Sequence, residues 1–117
     1  MKKRNIILIG MPGAGKSSVG VILAKALGYE FIDTDLVIQH REKRLLREII
    51  ADEGNEGFLA IENEVNATLE ADKSVIAPGG SAIYGKEAME HFKEIGTIVY
   101  LKLSYEDLAK RLGNLKG

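Results

Sequence analysis

Residues 10–17 combine the residue types and the spacing of a phosphate-binding loop. They read Gly10-Met11-Pro12-Gly13-Ala14-Gly15-Lys16-Ser17, which fits the pattern G-x-x-x-x-G-K-[ST]. Glycines let successive backbone N–H groups turn toward a phosphate chain, and the helix that follows adds its partial positive charge. The lysine reaches the β- and γ-phosphates, and the serine hydroxyl coordinates Mg²⁺. We therefore predict a nucleotide site that binds ATP with Mg²⁺ through Gly13, Ala14, Gly15, Lys16, Ser17 and Ser18.

A pair of aspartates, Asp33 and Asp35, follows the second short apolar segment. Ligands of open parallel sheets bind beyond the carboxyl ends of the strands, so both carboxylates should face the same crevice as the loop. Strand alternation predicts that they point in similar directions while Thr34 turns away. One carboxylate could hold the waters around Mg²⁺, and the other could accept a proton from a hydroxyl that attacks the γ-phosphate. N-capping of a helix by Asp33 or Asp35 is the alternative.

A glycine turn, Pro78-Gly79-Gly80, ends the third apolar segment. Its backbone N–H groups can hold an anion such as a carboxylate, and a tight turn before the next helix is the alternative. No aspartate ends this strand. We therefore expect Mg²⁺ to depend on Ser17, phosphate oxygens and water, with Asp33 helping from the second coordination shell.

Short apolar segments alternate with segments of helical periodicity along the chain. Strands are predicted at 5–9, 29–32, 74–77 and 97–103, and helices at 16–27, 35–54 with a break near Lys43, 57–71, 86–95 and 104–112. This alternation is typical of an α/β fold with a parallel sheet. The length of 117 residues fits one domain, residues 1–117.

Composition excludes several classes of protein. Sixteen basic and seventeen acidic residues leave a net charge of −1, which argues against a strongly basic nucleic-acid binder. With no cysteine, disulfides and thiolate chemistry are impossible. The apolar run at 6–9 is too short for a signal peptide or a membrane span. We expect a cytoplasmic protein that binds neither membranes nor nucleic acids.

The order and spacing of four segments resemble the shikimate kinase family over nearly the whole chain. These segments are the loop at 10–17, Phe31-x-Asp33-x-Asp35, Gly57-Phe58-x-x-x-Glu62 and residues 75–80. The resemblance implies a nucleoside-monophosphate-kinase-like fold, a three-layer P-loop architecture with sheet order 2-3-1-4. It also implies the use of ATP and Mg²⁺ and phosphorylation of the 3-hydroxyl of shikimate.

The resemblance further implies roles for individual residues. Asp35 would bind the acceptor hydroxyls and act as the base, and Asp33 would order the Mg²⁺ shell. The amides of Gly79 and Gly80 would contact the substrate carboxylate, and Arg111 would stack on adenine. Lys16 would stabilise the transferred phosphoryl group.

Three positions or segments depart from the family pattern. Leu59 stands where the family has an arginine that grips the carboxylate, so Glu62 is expected to lack its usual partner. Ser81 replaces the third glycine of the turn. Family members also continue beyond the length of this chain, with a lid and a fifth strand, so the chain is either a fragment or a reduced homologue. Although the family is monomeric, an uncovered strand at 97–103 would then promote association through its edge.

The leading hypothesis is a small-molecule kinase, with a hydroxy acid such as shikimate as acceptor. Alternatives are a nucleotide-binding module or degenerate kinase without turnover, and a kinase for another hydroxy acid or a polyol. A nucleoside monophosphate kinase is a poorer fit, because it needs arginines for a second phosphate and Leu59 offers none.

Overall fold

The computed structural model of the protein describes residues 4–10 and 16–101. Strands and helices alternate as predicted, in the order β1 Asn5–Gly10, α1 Lys16–Leu27, β2 Glu30–Asp33, α2 Thr34–Glu42, α3 Leu46–Ala67, β3 Ser74–Ala77, a 3-10 helix Ala82–Tyr84, α4 Lys86–Ile95 and β4 Gly96–Leu101. Gly13, Ala14, Gly15, Arg111 and the last predicted helix lie outside the described residues.

The four strands form one parallel sheet in the order β2-β3-β1-β4, which confirms the predicted topology. The central strands β1 and β3 are apolar along most of their length because helices cover both of their faces. Ile7 and Ile76 lie side by side in register and are fully buried. The carboxyl ends of β1, β2 and β3 therefore meet at one edge of the sheet.

Helices pack on the two faces of this sheet and complete a three-layer architecture. On one face, Ile7 and Ile76 pack against Phe92 of α4. On the other face, Leu8 and Val75 pack against Val19 of α1. The start of α1 is thereby fixed beside the end of β1.

The α2–α3 region shows where the helix predictions hold and where they differ. The predicted break is confirmed at Lys43, which caps α2 with a positive φ of 56°. The interruption predicted between the helix that ends at residue 54 and the one that begins at residue 57 is present as a kink at Gly54, which divides α3 into two helical parts. Gly54 has φ 74° and ψ 174°, a conformation that glycine adopts without steric cost. The last turn predicted for this element, up to residue 71, is not helical, since α3 ends at Ala67.

Asn5 is a buried structural residue that sequence reasoning did not find. Its amide nitrogen donates to the carbonyls of Ala71 (2.8 Å) and Ile95 (2.9 Å). Its amide oxygen accepts from the backbone N–H of Ser74 at 3.1 Å. One side chain thus ties together the starts of β1 and β3 and the end of α4.

Strand β4 lies at one edge of the described sheet. Val99 and Tyr100 are exposed on it, and residues 102–103 of the predicted strand lie outside the described part. Association through this edge stays a prediction. In the part of the chain that the structure describes, no helix has both the length and the apolarity to cross a membrane.

Candidate active site

The first turn of α1 carries the loop residues that the structure describes. Lys16 Nζ donates to the carbonyl of Gly10 at 3.2 Å, which brings the ammonium group back over the end of β1. Ser17 and Ser18 are exposed on the same turn. The first N–H groups of a helix have no intrahelical acceptor, so this turn presents donors, a cation and two hydroxyls together. Such a donor set fits a phosphate chain with its Mg²⁺.

Asp33 caps helix α2, so the capping alternative is realised for this residue. Its Oδ1 accepts from the backbone N–H of Asp35 at 2.9 Å. Strand alternation does not extend to Asp35, because β2 ends at Asp33 and α2 begins at Thr34, which is fully buried. The cap leaves the second oxygen of Asp33 and the whole carboxylate of Asp35 for other partners.

The pKa of Asp35 is raised above its ordinary value. Partial burial is the largest cause, the neighbouring charge of Asp33 adds to it, and the ammonium group of Lys16 opposes it. The structure thus brings the predicted base, the predicted metal-shell residue and the loop lysine within electrostatic reach of one another. A raised pKa makes Asp35 a stronger proton acceptor than an ordinary aspartate.

The glycine turn after β3 lies against the same carboxylate. A Cβ added to Gly79 would stand 3.0 Å from Asp35 Oδ1 and 3.0 Å from Glu62 Oε2, so only glycine fits without displacing them. The carbonyl of Gly79 accepts from Ala82 N at 3.1 Å and closes the turn. Among the hydrogen bonds of the described residues, none uses the N–H of Gly79 or Gly80. These amides are therefore available to an anionic ligand.

Glu62 has no arginine partner in the described residues, and a serine that sequence reasoning did not connect with it takes that place. Ser81 Oγ donates to Glu62 Oε1 at 2.7 Å. Glu62 is only 2% exposed. Burial and the charge of Asp35 raise the pKa of Glu62, and the bond from Ser81 counteracts them. Sequence reasoning noticed the serine and the glutamate as separate departures, but their pairing depends on the packing of α3 against the turn.

A pocket of about 280 Å³ opens beside this pair. Its wall includes Leu59, Glu62, Ser81 and Lys86. Leu59 is partly exposed and offers the pocket an apolar surface where the family pattern has a cation. Lys86 places a positive charge on another part of the wall.

The residues expected to help bind Mg²⁺ are Ser17 and Asp33. Within residues 4–10 and 16–101, no three acidic or histidine side chains gather in a way that could hold a metal ion. Mg²⁺ at this site would depend on Ser17, Asp33 and the oxygens of its ligands, as the sequence suggests. The roles of these two residues stay predictions.

The family model for shikimate kinase matches residues 12–117. The chain belongs to the shikimate kinase family. It is 39% identical over 109 residues to shikimate kinase 2 of Yersinia pseudotuberculosis serotype O:3 (strain YPIII), covering 93% of this chain and 63% of that protein.

Solved structures of shikimate kinases agree with this assignment. The Acinetobacter baumannii enzyme in complex with shikimate is 36% identical with a TM-score of 0.80, covering 97% of this chain and 64% of that one. The Aquifex aeolicus enzyme is 35% identical with a TM-score of 0.76, and the match covers 88% of this chain and 62% of that one. The chain thus spans less than two thirds of the length of these relatives.

Proposed function

We propose that the protein is an ATP-dependent kinase that transfers the γ-phosphoryl group to a hydroxyl of a small hydroxy acid, with the 3-hydroxyl of shikimate as the acceptor. One observation carries this proposal. Asp35 lies within electrostatic reach of Lys16 and in contact distance of the Gly79 turn. A base near both a phosphate-binding lysine and a turn with available amides is suited to phosphoryl transfer to the hydroxyl of a molecule that also carries a carboxylate.

The chain's own residues have separate tasks in this reaction. Lys16 balances negative charge on the transferred group, and Asp35 orients the acceptor hydroxyl and takes its proton as the oxygen attacks the γ-phosphorus. The bond between that phosphorus and the β–γ bridging oxygen breaks, and ADP leaves. Ser17 and Asp33 would hold Mg²⁺, which would supply further charge neutralisation.

The acceptor would be held by its own polar groups. The amides of Gly79 and Gly80 are suited to a carboxylate, and Asp35 is suited to hydroxyls. The family resemblance adds two further assignments to the proposal. The phosphates would bind to Gly13, Ala14 and Gly15, and adenine would stack on Arg111.

Leu59 favours a second candidate, a kinase for a different hydroxy acid or for a polyol. A leucine in the pocket wall makes no charge-assisted hydrogen bond, and such bonds contribute about 1.5–3 kcal/mol. Leu59→Arg should therefore improve shikimate affinity about tenfold or more if shikimate is the acceptor. No gain would mean that another group holds the carboxylate or that the acceptor is different.

The experiment that tests the proposal is an ADP-release assay with the full chain, MgATP and a panel of acceptors. ADP should be released when shikimate is the acceptor. Lys16→Ala should abolish turnover or weaken ATP binding, which calorimetry measures. Lys25→Ala, at the far end of the same helix, is the matched control and should change neither. Nucleotide binding with no turnover on any acceptor would favour a degenerate kinase, and unchanged binding and activity in Lys16→Ala would refute the nucleotide site.

A further inference from the structure

The two oxygens of Glu62 contact the two ends of one short turn. Oε1 accepts from Ser81 Oγ at 2.7 Å. Oε2 lies 3.0 Å from the position that a Cβ on Gly79 would occupy. A carboxylate on α3 thereby spans the turn after β3 from residue 79 to residue 81.

This carboxylate is buried and has few partners. Within the described residues, the hydroxyl of Ser81 is the one hydrogen-bond donor to Glu62. A buried charge without a partner is costly, so removing the donor would favour movement of Glu62 or uptake of a proton.

Gly79 lies close to both Glu62 and the proposed base. The position that its Cβ would occupy is 3.0 Å from Glu62 Oε2 and 3.0 Å from Asp35 Oδ1. Because both carboxylates pack closely against this glycine, we expect a shift of Glu62 to change how the turn packs against Asp35.

We propose that Ser81 is a positioning residue of the acceptor site, which acts by holding Glu62 against the turn and so fixes the amides of Gly79 and Gly80. This inference rests on the proposed function for its kinetic consequence. Ser81 does not need to touch the acceptor. Leu59, also on α3, stands where the family has the arginine that pairs with this glutamate. In this chain the hydroxyl of Ser81 is the partner of Glu62 instead.

A merely structural serine would behave differently, and the chain offers one for comparison. Ser74 is buried at the start of β3, and its Oγ donates to the carbonyl of Asp72 at 3.2 Å. It lies at the opposite end of the strand from the turn. Ser74→Ala therefore removes a similar hydrogen bond without touching Glu62.

The experiment measures the acceptor KM, the ATP KM and the amide hydrogen exchange of Ala82, whose N–H donates to the carbonyl of Gly79 and closes the turn, in the full chain. Ser81→Ala should raise the KM for shikimate about fivefold to tenfold and leave the KM for ATP within about twofold. It should also speed exchange at the amide of Ala82, because a looser turn weakens its bond to Gly79. Ser81→Thr, which keeps the hydroxyl, should restore both properties, and Ser74→Ala should change neither.

Different outcomes separate this inference from the proposed function. If the wild type does not phosphorylate shikimate, the function is wrong, and the exchange rate of the Ala82 amide still decides the positioning role. Exchange that is no faster in Ser81→Ala than in Ser74→Ala would overturn the role of Ser81. An equal rise in both KM values, or failure of Ser81→Thr to restore the acceptor KM, would also overturn it.

Discussion

Replacing Gly79 by alanine tests how closely the turn fits between the two carboxylates. The added Cβ would meet Asp35 Oδ1 and Glu62 Oε2, each at 3.0 Å, a separation tighter than ordinary van der Waals contact. Asp35 is half-buried and Glu62 fully buried, so the second carboxylate has little room to move. Overpacking of this kind costs about 1–3 kcal/mol.

Gly80 provides the matched control in the next position. A Cβ there meets nothing within 4 Å, and Gly80 is not among the positive-φ glycines. Gly80→Ala should therefore stabilise the fold by about 0.4–1 kcal/mol, because alanine reduces the conformational entropy of the unfolded chain. Urea unfolding should separate the two variants by about 2 kcal/mol. Equal stabilities would mean that Gly79 does not lie between the carboxylates, and the account of the acceptor side would be wrong.

Four further predictions are tested by urea unfolding. The stability of the wild type should fall as pH rises from 4.5, the ordinary pKa of Glu62, through its raised pKa in the fold, because the folded state holds that proton more tightly. Glu62→Gln should reduce this decline, and the raised pKa of Asp35 should leave a decline of the same sign. Asp33→Ala should cost about 1 kcal/mol through loss of the cap, whereas Asp33→Asn should keep most of it. Asn5→Ala should cost about 3 kcal/mol or more, since it leaves buried backbone groups without partners. Gly20→Ala should cost about 1–3 kcal/mol because its Cβ would overlap the ring of Phe31, and adding Phe31→Leu should recover part of the loss.

The sheet could be predicted from the sequence because its signals are local. Buried parallel strands are continuous apolar runs, so Ser74–Ala77 was located to the residue. Helix bounds were correct where a cap or a glycine marks the end, as for Lys16–Leu27 and Lys86–Ile95. The order of the strands came from the family resemblance, since periodicity does not specify which strands are neighbours.

The predictions failed where the determining interaction is distant in sequence. Asn5 bonds to groups 66 to 90 residues away, and no local pattern reports such contacts. The pairing of Glu62 with Ser81 depends on how α3 packs against the turn after β3. A local error is that strand alternation was extended from Asp33 to Asp35, whereas the cap at Asp33 starts α2 at Thr34, one residue before the predicted helix.

The measurement that tests the central claim most directly is ³¹P NMR of the full chain with MgATP and shikimate, run in parallel with Asp35→Asn. We expect the γ-phosphate signal to decline as one phosphomonoester signal grows in equal amount. Asp35→Asn should slow this conversion at least about a hundredfold, because general-base catalysis contributes about 10²–10⁴ to the rate. Loss of ATP to inorganic phosphate alone, or ester formation at the wild-type rate in Asp35→Asn, would contradict the account.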